Sequence, residues 1–129
     1  MKYYQIVKEM ISYFQNDVAR INHALKVYNF ARVIACEYSL TEKELKVTYI
    51  SAILHDIGIK NAEEKYNSTA GKYQEQEGPD VAREILEKYN FSEKILDRIC
   101  FLIGNHHSYD KIDALDFQIL VEADFLVNI

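Results

Sequence analysis

The chain has 129 residues, 49% of them hydrophobic and 27% charged, with one proline, four glycines and a formal net charge of -5. That length sets one domain, residues 1–129, with core enough to fold without disulfides. The scarcity of proline and glycine excludes a β-rich or disordered chain and leaves an all-α protein. Lysine and arginine are scattered among glutamate and aspartate, which disfavours a nucleic-acid polymer as partner.

No apolar run approaches the roughly 18 residues of a membrane span, and the N-terminus lacks a cleavable signal, so no membrane association and a cytoplasmic location are expected. Cys36 and Cys100 stand far apart in apolar helical stretches and are expected to be buried, reduced thiols.

Ile6, Met10, Ile11 and Phe14 recur at helical spacing and predict a first amphipathic helix to about Gln15. Asn16-Asp17 supplies a stop and a fresh cap for a second, on the stripe Val18, Ile21, Ala24, Leu25, Tyr28, Ala31 and Ala35, beside which His23 looks inward. Thr41-Glu42-Lys43-Glu44 is a capping box that starts a third helix running into His55-Asp56, with Gly58 ending it.

From Gly58 to Gly78, Asn61, Asn67, Ser68 and Gly71 interrupt any period, and the segment is expected to be a long polar loop that lines a binding site. Pro79 is placed as the first residue of the next helix, to about Lys88. Ser92 caps a helix that ends at His106-His107. Asp113 can cap the last helix, in which Asp124 sits among Leu120, Val121, Ala123, Phe125 and Leu126.

His55-Asp56 closes the apolar run Val47–Leu54, where a bare carboxylate would cost several kcal/mol or more unless it met a counter-ion, a hydrogen-bond network or a metal. A His-Asp dipeptide alone is weak evidence. The joint pattern is stronger, because His23, His55, His106 and His107 are all the histidines of the chain and each falls on or at the end of a predicted helix.

Two imidazoles and two carboxylates from His23, His55, Asp56 and Asp124 complete one metal site. The lack of thiolates favours manganese, iron, cobalt, nickel or magnesium, with zinc also open. His106, His107 and Glu77 can hold a second ion bridged by Asp56. Two ions about 3.5–4 Å apart would clamp a phosphoryl group and activate water. Asp56 and Glu77 are the candidate general bases, Arg20, Lys60 and Lys72 the candidate phosphate contacts, and Tyr73 and Tyr109 candidate stacking residues at the mouth.

The order His23, His55-Asp56, Asp124 resembles the HD-domain superfamily of metal-dependent phosphohydrolases, from about Asn16 to the end of the chain, with residues 1–15 forming a helix ahead of it. The resemblance implies a compact multi-helix, phosphodiesterase-like bundle with a metal site between helices. It also implies one or two divalent ions per chain and hydrolysis of a phosphomonoester or phosphodiester, often of a nucleotide.

His23, His55, Asp56 and Asp124 match the defining ligands, and His106 and His107 the extra histidines of members with two or three metals. Glu77 stands where such members commonly place histidine, and the Gly-Tyr-Pro signature of the cyclic-di-GMP branch is missing. The expected partner is a small-molecule phosphate ester. Specificity elements beyond Asp124 are expected to be either missing or supplied by a partner subunit, for which a homodimer is one form. Two further functions stay open: a non-catalytic metal-dependent sensor or interaction module, and a di-iron oxygenase of the same fold.

Overall fold

A computed structural model describes residues 2–128. Among them it contains seven α-helices and no strand: α1 (Tyr3–Phe14), α2 (Val18–Ala35), α3 (Glu42–Leu54), α4 (Ile59–Tyr66), α5 (Gly71–Leu86), α6 (Glu93–Ile103) and α7 (Leu115–Asn128). Short 3-10 turns follow α5 at Glu87–Tyr89 and precede α7 at Tyr109–Lys111. The all-α expectation is met, and no helix among the described residues is long and apolar enough to cross a membrane.

The helix starts follow the capping chemistry of the sequence. Asp17 Oδ1 accepts from the Arg20 N–H at 3.3 Å, and Ser92 Oγ accepts from the Ile95 N–H at 3.3 Å. At the head of α3 the capping box is complete, with the Glu44 N–H donating to Thr41 Oγ1 at 3.2 Å and the Thr41 N–H to Glu44 Oε1 at 2.9 Å. Asp113 does something else. Both of its carboxylate oxygens are taken by Arg98, at 2.9 and 2.7 Å, in a fork that also reaches Asp116 and ties the α6–α7 connection down.

Helix α2 packs against α7 and α3, α3 also against α6 and α7, and α5 against α6 and α4. Ile50, Ile53, Leu54, Ile57, Ile99, Leu102, Ile103, Phe117, Ile119 and Leu120 fill the space between them and are fully buried. Ile11 and Val18, counted on apolar faces from their spacing, are instead exposed. Cys36 also departs from expectation: it lies past the end of α2, exposed, with its thiol donating to the Arg32 carbonyl, while Cys100 is half-buried and both thiols are free.

The largest departure is the expected long loop, most of which is helix. Residues 59–66 form α4, and α5 begins at Gly71, so Pro79 lies inside it rather than at its start. The glycines that read as breakers are there for close packing. A Cβ on Gly58 would lie 2.4 Å from the Gly78 nitrogen and 2.7 Å from the Gln74 carbonyl oxygen, and one on Gly78 would lie 2.7 Å from Ile103 Cγ2. These contacts press the corner after α3 directly onto α5, next to His55-Asp56.

Candidate metal centre

His55 is the residue at which α3 ends, and Asp56 follows in the turn of residues 55–58 that redirects the chain into α4. The turn lets two adjacent side chains, roughly 100° apart on a regular helix, close on one space. His23 comes from α2 and Asp124 from α7. His23 Nε2 stands 3.2 Å from His55 Nε2, 3.0 Å from Asp124 Oδ1 and 3.4 Å from Asp56 Oδ2. His55 Nε2 lies 3.4 Å from Asp56 Oδ2 and 3.5 Å from Asp124 Oδ1. Donor atoms from α2, from α7 and from the turn that closes α3 therefore converge: His23, His55 and Asp56 form one metal-sized group, and Asp124 borders it at His23 and His55.

Asp56 divides its oxygens. Oδ2 faces His23 and His55, whereas Oδ1 lies 3.3 Å from His106 Nε2, and a ring nitrogen of His107 completes a second group with Asp56 and His106. His106 and His107 occupy the turn after α6. That turn is pinned by Glu75 of α5, whose carboxylate accepts from the His107 N–H at 3.0 Å and from the Ser108 hydroxyl at 3.0 Å.

The donor chemistry fits divalent ions. Donors about 2.0–2.1 Å from one ion stand about 2.8–3.4 Å apart in octahedral or tetrahedral arrangements, close to the spacings found here. The buried rings are oriented by their far nitrogens: His55 Nδ1–H donates to the Ala52 carbonyl at 2.8 Å and His106 Nδ1–H to the Ile103 carbonyl at 2.7 Å. Their Nε2 lone pairs then point into the clusters, the arrangement that holds metal-ligating histidines. His55 Nε2 meets carboxylate oxygens and another imidazole there, a meeting that needs a proton or a cation between the partners. His106 Nε2 is buried with no aligned hydrogen-bond partner, although Asp56 Oδ1 is near.

Without metal, a proton serves that purpose. Burial works against a charged imidazole at His55, but the Asp56 and Asp124 carboxylates outweigh it and hold its pKa well above the ordinary 6.5. Burial likewise opposes ionisation of Asp56 and Asp124, and is overcome at Asp56 by His55 and His106 and at Asp124 by His23 and His55, so both carboxyls titrate below the usual range. Burial and the neighbouring His106 lower the pKa of His107.

The His55 contribution to metal-free stability is fully present below the ordinary histidine value and fades as pH rises through its raised value. The Asp56 and Asp124 contributions are present above the ordinary 3.8 and fade as pH falls through their lowered values. His107, its pKa lowered, offsets part of the His55 contribution below the ordinary histidine value, and the larger His55 shift keeps metal-free stability highest between about pH 4 and 6.5. Because an ion must displace the His55 proton, affinity should rise with pH, with about one proton released by the first equivalent near neutrality. Calorimetry in buffers of different ionisation enthalpy reads that proton; uptake, or none, would contradict the arrangement.

Not every residue marked in the sequence comes here. His23, His55, Asp56, His106, His107 and Asp124 are brought together, but Glu77 joins neither group: Lys65 Nζ lies 2.9 Å from one of its oxygens and the Tyr66 hydroxyl donates to the other at 3.3 Å. Glu77→Gln is accordingly expected to leave metal stoichiometry unchanged and to cost about 1 kcal/mol or less in a denaturation curve. Arg20 is clasped by Asp17 at 2.9 Å and Glu63 at 2.8 Å. Lys60 Nζ lies over the Tyr13 ring and Lys72 Nζ over the Tyr73 ring. Tyr73 stacks on Tyr66 at 4.2 Å, and Tyr109 leans on Phe125 at 5.3 Å.

The sequence reading passed over Gln74, Glu75 and Asn128. Gln74 Oε1 is 3.2 Å from His107 Nε2, and the Asn128 amide donates to Asp124 Oδ1 at 3.2 Å. The signal for Gln74 was its spacing: 74, 78, 81 and 82 form the buried face of α5 once that helix is extended back from Pro79.

A family model described as HD domain matches residues 20–127, a span that contains every donor of both clusters. No curated protein and no solved structure matches the chain.

Proposed function

The chain belongs to the HD-domain family, whose members are broadly metal-dependent phosphohydrolases, and from that premise we propose that it hydrolyses a small phosphate ester. The substrate class is a phosphomonoester or phosphodiester of a nucleotide or a small phosphorylated metabolite. The observation that carries this reading is the split of Asp56, with one oxygen turned to His23 and His55 and the other to His106. His23, His55, Asp56 and Asp124 would hold one divalent ion, and Asp56, His106 and His107 a second. Such ions supply Lewis acidity toward phosphoryl oxygens and lower the pKa of water.

The protein's own part is to hold the donors in place. The Ala52 and Ile103 carbonyls fix the His55 and His106 rings, the Asn128 amide steadies Asp124, and Glu75 locks the turn that presents His107. Asp56, its pKa held well below the carboxylate range, is a weak base and would act as a ligand to both ions rather than as the general base. Lys72 is better placed than Arg20 as a phosphate cation: it is exposed and follows Gly71, where a Cβ would lie 3.0 Å from the His107 ring, whereas Arg20 is held by two carboxylates.

The test is a substrate panel of generic phosphomonoesters, phosphodiesters and nucleotides, offered to protein loaded with Mn2+, Co2+ or Ni2+. Turnover that disappears in His55→Ala supports the reading. Tight metal binding with no turnover on the whole panel would replace it with that of a sensor or interaction module.

A further inference from the structure

Resting on the two-cluster reading above, we infer that Gln74 supplies, through its side-chain oxygen, the remaining protein donor of the second cluster and makes it the weaker, exchangeable site. Gln74 is 8% exposed, on the face of α5 that presses against the corner after α3. Its amide has only one sensible orientation. The nitrogen lies 2.6 Å from the Thr69 carbonyl oxygen, where a second oxygen would be repelled, so Nε2 donates there and Oε1 is turned toward His107. Oε1 stands 3.2 Å from His107 Nε2, within the range of spacings that separate the donors of the first cluster.

Glu77, the acidic residue expected in this place, is held by Lys65 and Tyr66. The two clusters therefore differ in charge. The first gathers Asp56 and Asp124 with two imidazoles; the second has one oxygen of Asp56, two imidazoles and a neutral amide. For hard divalent ions, fewer anionic oxygens mean weaker binding.

Titration of the metal-free protein with Mn2+, followed by calorimetry and by the electron paramagnetic resonance signal of free ion, is expected to show two classes of site of unequal affinity. Gln74→Leu, which keeps the bulk and removes the donor, should weaken the second class by about tenfold or more and leave the first unchanged. Gln74→Glu should tighten the second class by about tenfold or more. With Co2+, Gln74→Glu should also shift the visible bands that grow in with the second equivalent, which a residue that only orients His107 would not do.

A second class unchanged in Gln74→Leu, or Co2+ bands unmoved in Gln74→Glu, would overturn the assignment while leaving the first site standing. A wild-type chain that binds one ion would overturn it likewise. A wild-type chain that binds none would remove the metal reading itself.

Discussion

Asp56→Ala is expected to release both ions and to lower phosphate-ester turnover by about a thousandfold or more, the largest functional effect of any single substitution in the chain. Asp56 alone faces both clusters, with Oδ2 3.4 Å from His23 and His55 and Oδ1 3.3 Å from His106. Truncation takes a bridging charge from each. Asp124→Ala removes a donor from the first cluster alone, so it should leave the weaker second class measurable in a Mn2+ titration where Asp56→Ala leaves neither.

A second readout separates this account from simple misfolding. Of the interactions that raise the His55 pKa, that with Asp56 is the largest, so the His55 ring in metal-free Asp56→Ala should titrate lower than in wild type, followed by its ring-proton resonances. A variant that keeps two ions and wild-type turnover would dismiss the bridge.

Gly58→Ala is expected to produce the largest loss of stability, about 3 kcal/mol, read from chemical denaturation. Backbone strain is not the cause, since Gly58 has an ordinary φ of -80°. The cause is contact: the new methyl would lie 2.4 Å from the Gly78 nitrogen and 2.7 Å from the Gln74 carbonyl oxygen, and both are backbone atoms of a packed helix. Something must move, and the movement separates the His55-Asp56 turn from α5, so the second class of metal site should weaken along with the fold.

Gly78→Ala is the informative comparison. Its close contact is with one side-chain methyl, Ile103 Cγ2, rather than with backbone atoms of a helix, so its cost should be smaller. A Gly58→Ala protein within about 0.5 kcal/mol of wild type would mean that α4 and α5 are not pressed together at this corner.

Much of this was legible in the chain. The six residues His23, His55, Asp56, His106, His107 and Asp124 stood out because they are polar groups on or beside apolar helical stripes, a placement that burial alone would penalise. The capping box of α3 and the caps at Asp17 and Ser92 were legible because hydroxyl and carboxylate groups at fixed offsets satisfy the free N–H groups of a first turn.

The start of α5 was not legible, because Gly71 and Gly78 look the same in sequence whether they break a helix or let another backbone approach. Only the neighbours across the fold, Gly58, Ile103 and His107, decide between the two. The reading of Glu77 as a ligand has the same origin. Residues three apart on a helix point in directions that differ by about 60°, and a charged side chain invites a ligand assignment that the helix phase withholds. Lys65 and Tyr66 of α4, a helix the sequence concealed, are what hold Glu77.

The central claim is that two adjoining clusters centred on Asp56 bind divalent metal, and metal content measures it most directly. Wild-type protein stripped with chelator, reloaded with Mn2+ and freed of excess ion should retain at least one ion per chain, and His55→Ala, still folded by circular dichroism, should retain none at the first site. A folded wild-type chain that emerges free of metal, or a His55→Ala chain that retains as much as wild type, would contradict it.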